Sequence, residues 1–103
     1  MLTDSKMIDG FGALAQPTRM AMFHTLRGAG AEGMPAGELA EMLSVPPPTL
    51  SFHLKEMTSA GVLLSRRDGR KVIYSVNETA VRELVTFLVD GISADISERS
   101  AAE

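Results

Sequence analysis

Residues 44–76 limit the possible folds of this 103-residue chain more than any other stretch, because a helical pattern runs directly into a hairpin pattern. Leu50, Leu54 and Met57 recur at i, i+4 and i+7, which places them on one face of a helix. Gly61 follows them, and glycine tolerates the left-handed conformation with which many helices end. The spacing therefore predicts an amphipathic helix that stops at residue 60.

The hairpin pattern consists of two strand-forming runs, at 62–64 and 72–74, on either side of Asp68-Gly69. Asp-Gly between such runs predicts a β-hairpin with a type I′ turn, whose two central residues both have positive φ. Four cations surround the predicted turn: Arg66, Arg67, Arg70 and Lys71. A helix followed by a hairpin with a basic tip is the outline of a winged helix-turn-helix.

The rest of the chain fits a single domain of that class, mainly α-helical, with five helices and a wing sheet of two or three strands. Pro17 suits the first position of a second helix, and Met34 is placed to add a short strand beside the hairpin. We divide the predicted domain, residues 1–103, into dimerisation helices at 1–16 and 77–92, a helix-turn-helix at 36–60, a wing at 62–76 and a flexible acidic tail at 93–103.

The first and last helices carry more apolar surface than a small core needs, which predicts a homodimer. Apolar residues of the last helix recur at helical spacing from Val81 onward. The candidate interface residues are Phe11, Leu14, Val81, Leu84, Val85, Leu88 and Ile92. The alternative is that the two helices pack only against each other within one chain.

The chain has a net charge of −3, and its charges are distributed unevenly along the sequence. Residues 44–77 contain five cations and two carboxylates, a net charge of +3, so the remainder carries −6. A basic element on an acidic body concentrates attraction for phosphate at one face, which favours a nucleic-acid ligand. The alternative is an ordinary solvated hairpin tip.

The candidate DNA contacts lie on the predicted recognition helix and on the wing. Thr49 and Ser51 can bond bases or phosphates, and an exposed Phe52 can contact a thymine methyl group, although its ring could instead pack on the hairpin. His53 is either a satisfied, half-buried histidine or a phosphate contact. The full set is Pro47, Pro48, Thr49, Ser51, Phe52, His53, Lys55, Arg66, Arg67, Arg70 and Lys71.

The sequence lacks the residues that a catalytic site or a metal site would need. The chain has no cysteine and only two histidines, His24 and His53, which is too few for a zinc site. No Ser/His/Asp set, phosphate-binding glycine loop or carboxylate pair is present, so we expect no enzyme activity, cofactor or metal. No apolar run approaches the ~18 residues of a membrane span, and the start lacks a signal-peptide layout, so we expect a cytoplasmic protein.

Taken together, these residues resemble the ArsR/SmtB family of winged-helix repressors. The resemblance is carried by residues 14–19 (LAQPTR), 36–40 (AGELA), 49–56 (TLSFHLKE), 60–63 (AGVL) and 66–74 (RRDGRKVIY). It implies a homodimer, joined by the first and last helices, that binds an inverted repeat in an operator and is released by an inducer. It also implies that the recognition-helix residues face the major groove and that Arg67, Arg70 and Lys71 lie at the wing.

The chain departs from the arsenic-responsive branch, which it resembles most, at the inducer site. Where that branch has a cysteine pair just past the last helix, this chain has Asp90-Gly91-Ile92-Ser93. Thiolate binding of arsenite is therefore chemically excluded, and the inducer is unknown. The alternatives to an inducible repressor are a winged-helix module that binds a protein partner and a small-molecule sensor with an apolar pocket at the dimer interface.

Overall fold

The computed structural model describes the backbone of residues 4–102 and the side chains of residues 4–90. Within these residues, five α-helices pack around a three-stranded antiparallel sheet, which confirms the predicted fold class. The helices are α1 (Asp4–Leu14), α2 (Pro17–Ala29), α3 (Ala36–Leu43), α4 (Pro47–Ser59) and α5 (Glu78–Ala102). The strands are β1 (Met34–Pro35), β2 (Leu63–Asp68) and β3 (Lys71–Val76), and a short 3₁₀ helix, Gly30–Glu32, follows α2.

The apolar face predicted for α4 forms the centre of the core. Leu50, Leu54 and Met57 are at most 1% exposed, and they join α2 residues Met22 and Leu26, which are fully buried. Burial of a large apolar side chain contributes about 1.5–3 kcal/mol, so this face fixes the orientation of α4 on the domain. The opposite face of α4 is consequently turned to solvent.

β1 completes the sheet, in the order β1-β3-β2, by pairing Met34 with Tyr74. The chain enters this strand through Gly33, whose φ of 65° and ψ of −161° are accessible essentially to glycine alone. A Cβ atom at Gly33 would also overlap the backbone carbonyl of Tyr74. The third strand predicted at Met34 therefore depends on the glycine before it.

The turn of the hairpin differs from the prediction. Asp68 pairs with Lys71, so the central residues of the turn are Gly69 and Arg70 rather than Asp68 and Gly69. Gly69 has a φ of 62°, whereas Arg70 has no positive φ. Positive φ at the first central position alone, with glycine there, is the pattern of a type II′ turn. The predicted type I′ turn is therefore wrong, because the register is shifted by one residue.

The predicted end of the last helix at residue 92 is also wrong, since α5 continues to Ala102 and includes most of the predicted tail. No proline follows Asn77, and the last residues include Ala101 and Ala102, which have the highest helix propensity. The negative charge of this segment does not by itself end a helix. Ile92 lies in α5 but beyond the described side chains.

Asn77 connects the start of α5 to the end of α4. Its side-chain amide Nδ2 donates to the carbonyl oxygen of Gly61 at 2.9 Å, and its backbone N–H donates to the carbonyl oxygen of Val62 at 3.0 Å. Its Oδ1 accepts a hydrogen bond from the N–H of Ala80, which caps the helix. One residue therefore ties α5 to the turn that leads from α4 into the wing.

α1 and α5 pack against each other within one chain, but this contact uses only part of their apolar surface. Leu84 is 2% exposed and lies against Gly10, where a Cβ atom would be only 3.0 Å from a Leu84 methyl carbon. Phe11, Leu14 and Val81 are partly buried. Between Leu84 and residue 90, where the described side chains end, the large apolar side chains of α5 are 43–56% exposed: Val85, Phe87, Leu88 and Val89.

Among the described residues, no helix is both long enough and apolar enough to cross a lipid bilayer.

Candidate nucleic-acid interface

A left-handed residue makes the turn between α3 and α4. Ser44 has φ 53° and ψ 41°, and its N–H donates to the carbonyl oxygens of Ala40 and Glu41. The N–H of Val45 also donates to Ala40, at 3.1 Å. These bonds satisfy carbonyls at the end of α3 and reverse the chain within three residues, so that α4 starts at Pro47. The two helices thus form the compact helix-turn-helix that the sequence predicts.

The first turn of α4 lacks two of the backbone donors with which a helix usually begins. Pro47 and Pro48 occupy its first two positions, and neither has a backbone N–H. The free N–H groups of a first turn normally make a helix N-terminus a good anion site. Here two of those donors are missing, so an anion at this end would depend on side-chain donors such as the hydroxyl group of Thr49.

Most of the predicted contact residues have side chains that are exposed to solvent. Phe52 is 56% exposed, and its described ring contacts are with His53 and Arg19 rather than with the hairpin. The exposed members of the predicted set on α4 are Pro47, Pro48, Thr49, Ser51, Phe52 and Lys55. His53 is the exception, because it is only 8% exposed and is turned toward α2.

Arg19 of α2 contacts both His53 and Phe52 of α4. The Nε–H of Arg19 donates to His53 Nδ1 at 3.1 Å, and the guanidinium carbon lies 5.9 Å from the centroid of the Phe52 ring. An accepting Nδ1 carries no proton, so this geometry requires the neutral imidazole. Burial, and secondarily the positive charge of Arg19, lower the pKa of His53 below its usual 6.5. The interaction therefore joins α2 to α4 most firmly when His53 is neutral.

The cations of the wing fall into two groups, one that is hydrogen-bonded within the protein and one that is not. Arg66 donates from its guanidinium to the carbonyl oxygens of Glu32 at 2.8 Å and Ala31 at 3.4 Å, so it binds the wing to the 3₁₀ turn. Successive strand residues point to opposite faces, which places Arg67 on the other side of β2. Within the described residues, Arg67, Arg70 and Lys71 are exposed and have no hydrogen-bond or ion-pair partner. These three side chains remain available for phosphate.

Sequence patterns did not identify Arg19 as part of this region or Arg66 as a structural contact. Arg19 and His53 are 34 residues apart, and Arg66 and Ala31 are 35 residues apart. Helical periodicity reports only neighbours within a few positions, so it cannot reveal such pairs. The only signal for Arg19 was its place in the LAQPTR segment.

Among the described side chains, His, Asp and Glu residues form no cluster of three that could hold a metal ion.

An exposed second helix in a helix-turn-helix, followed by a basic β-hairpin, defines a winged helix-turn-helix DNA-binding regulator. The model of a helix-turn-helix domain family matches residues 14–66. The transcriptional repressor SdpR of Bacillus subtilis is 30% identical over 83 residues, which are 81% of this chain and 89% of SdpR. The chain belongs to the ArsR/SmtB family of winged-helix repressors, as the sequence resemblance predicted.

Solved structures agree with this assignment. An ArsR-like regulator from Rhodococcus sp. RHA1 superposes with a TM-score of 0.81, 26% identity and coverage of 95% of this chain and 89% of that one. The DNA-binding domain of Mb0332 from Mycobacterium bovis, described as a homodimeric winged helix-turn-helix, has a TM-score of 0.69, 20% identity and coverage of 95% and 93%. Some curated relatives are longer, and the chain spans 52–58% of their length.

Proposed function

We propose that this chain is a homodimeric, sequence-specific repressor in the cytoplasm that binds an inverted repeat in double-stranded operator DNA. The observation that supports it most directly is the wing, where three exposed cations lack a protein partner among the described residues. Free guanidinium and ammonium groups on a projecting hairpin are suited to the closely spaced phosphates of a duplex. The chain uses no arsenic-binding thiolate in this role, because it has no cysteine.

Affinity and specificity come from different elements in this proposal. Arg67, Arg70 and Lys71 contact phosphates and supply salt-sensitive affinity. α4 enters the major groove, where Ser51 and Phe52 contact base edges and a thymine methyl group. No arginine, asparagine or glutamine on α4 is available to grip a purine bidentately. DNA shape and half-site spacing therefore carry more of the specificity than direct base contacts.

The dimer is supported by the apolar surface of α5. Four large apolar side chains on this one helix are 43–56% exposed, and Ile8 on α1 is 69% exposed. A self-complementary contact around a two-fold axis buries such a stripe on both subunits at once. The homodimer described for the Mycobacterium bovis domain has the same fold.

Titration of fluorescently labelled operator DNA tests the proposal. The probe is the promoter region of the chain's own gene, and an unrelated duplex of equal length is the comparison. Wild-type protein binds the operator fragment more tightly, and Arg67→Ala and Arg70→Ala each weaken binding. The slope of log affinity against log salt concentration becomes shallower by about 0.9 for each phosphate that the variant no longer neutralises.

Arg82→Ala is the matched control, since it removes one exposed cation from α5 rather than from the wing. It leaves operator affinity unchanged. Affinity that is indifferent to both wing substitutions would contradict the proposal and favour a module that binds a protein partner.

A further inference from the structure

A cavity of about 780 Å³ lies within the single subunit, between the end of α2, the wing and the first turn of α5. Its size is in the range of small-molecule sites in proteins, about 300–1,000 Å³. Phe23 of α2 forms part of an apolar wall, together with Leu64 of the wing. Leu64 is itself 51% exposed, which leaves apolar surface on β2 that the protein does not cover.

The same cavity is bordered by three guanidinium groups and one carboxylate. The cations are Arg27, Arg66 and Arg82, and the carboxylate is Glu78. Arg27 lies over the Phe23 ring at 5.9 Å, and Arg66 bonds two backbone carbonyls. None of the three arginines has a carboxylate partner among the described residues. The cavity thus combines an apolar wall with uncompensated positive charge.

We propose that this cavity binds a small amphipathic carboxylate, such as a medium-chain fatty acid, and that this binding releases the wing. The apolar wall suits the hydrocarbon, and the arginines suit the carboxylate, which they can bind through paired N–H groups. The lining residues of this cavity all belong to one subunit, and they include Val81, which lies one helical turn before the exposed Val85 of α5. The proposed site is therefore built by one subunit, next to the apolar surface of α5 that we propose for the dimer.

Arg66 provides the connection to DNA binding. It lines the cavity and also binds β2 to the carbonyls of Ala31 and Glu32. A carboxylate is a stronger acceptor than a peptide carbonyl, so a ligand in the cavity competes for this guanidinium. Loss of the Arg66 hydrogen bonds separates the wing from the 3₁₀ turn, which weakens the fixed placement of Arg67 and Arg70. This regulatory step rests on the proposed function, whereas the binding step does not.

Isothermal titration of the 103-residue chain with decanoate, below its micelle-forming concentration, tests the binding step. Decanoate binds, whereas decanamide, which has the same tail without the charge, and acetate, which has the charge without the tail, do not. Equal binding of decanamide, or no binding of decanoate, would overturn the proposal. Equal binding of acetate would overturn it too, because the cavity would then be an anion site that ignores the hydrocarbon.

Two substitutions separate the cavity from the DNA surface. Arg82→Ala weakens decanoate binding about tenfold and leaves operator affinity in the absence of ligand unchanged. Arg70→Ala weakens operator binding and leaves decanoate binding unchanged. Saturating decanoate lowers the operator affinity of the wild-type protein, and an operator affinity that decanoate does not change would overturn the regulatory step. If the chain bound decanoate but no operator, the proposed function alone would fail.

Discussion

At Gly33 the chain passes so close to β3 that a single added carbon atom would meet the Tyr74 carbonyl. The φ of 65° at this residue adds a second restriction, because an L-amino acid side chain is strained there. The two restrictions are independent, since one is a contact across the sheet and the other is local to the residue. Together they make Gly33 the position where the β1–β3 pairing is most sensitive to substitution.

Gly33→Ala is expected to lower the free energy of unfolding by at least about 3 kcal/mol, through strain and displacement of β1 from β3. Urea denaturation followed by circular dichroism measures this change. Gly28→Ala is the control, because a Cβ atom there meets nothing within 4 Å and the residue lies in α2. It is expected to be neutral or to stabilise by up to about 1 kcal/mol. Equal effects of the two substitutions would contradict the close approach at Gly33.

At the scale of elements, the contact between α2 and α4 depends on protonation. The lowered pKa of His53 means that the unfolded chain binds a proton more readily than the folded chain. The stabilising contribution is thus complete above pH 6.5 and decreases as the pH falls below 6.5 toward the pKa of the folded state. In the folded state, protonation also removes the acceptor that Arg19 uses and places a second cation beside it.

His53→Asn is expected to reduce the loss of stability between pH 7 and pH 5, because an amide oxygen can accept from Arg19 without titrating. The measurement is the free energy of unfolding of both proteins across this range. His24→Asn is the control, since His24 is the other histidine and is not buried. A pH dependence that is the same in wild type and His53→Asn would mean that other groups cause it.

The elements themselves could be predicted to a large extent, because their signals are local. Pro17 marked the start of α2, and the Leu50, Leu54 and Met57 spacing indicated the buried face of α4. The turn register could not be predicted, since Asp68-Gly69 and Gly69-Arg70 are both possible centres and pairing of β2 with β3 decides between them. The contacts of Arg19 and Arg66 were missed because they join residues that are distant in sequence. The roles of the contact residues in DNA binding stay a prediction.

At the scale of the whole molecule, the main feature is the apolar surface of α5 that a single subunit leaves exposed. Leu84 packs inward on α1, whereas Val85 and Leu88 are exposed on the same helix. The intramolecular and intermolecular alternatives therefore use different residues. The α1–α5 contact accounts for Leu84, and the proposed dimer accounts for Val85 and Leu88.

Leu88→Lys is expected to raise the dimer dissociation constant by about 100-fold or more, because it places a charge in an apolar contact on both subunits. Sedimentation velocity over a range of protein concentrations measures the change. Met42→Lys is the control, since Met42 is 61% exposed but lies on α3. A wild-type chain that stays monomeric at high concentration, or a dimer that Leu88→Lys does not weaken, would contradict this interface.

The bonds from Asn77 to Gly61 and Val62 have a consequence for the spacing of binding sites on DNA. In the proposed dimer, α5 belongs to the two-fold contact and α4 to the groove, so these bonds fix how far apart the two α4 helices lie. One extra base pair between half-sites moves the second about 3.4 Å along the duplex and rotates it by roughly a tenth of a turn. Two subunits joined in this way cannot follow that rotation. We therefore expect the protein to select operators by the helical phase of their two halves as well as by their bases.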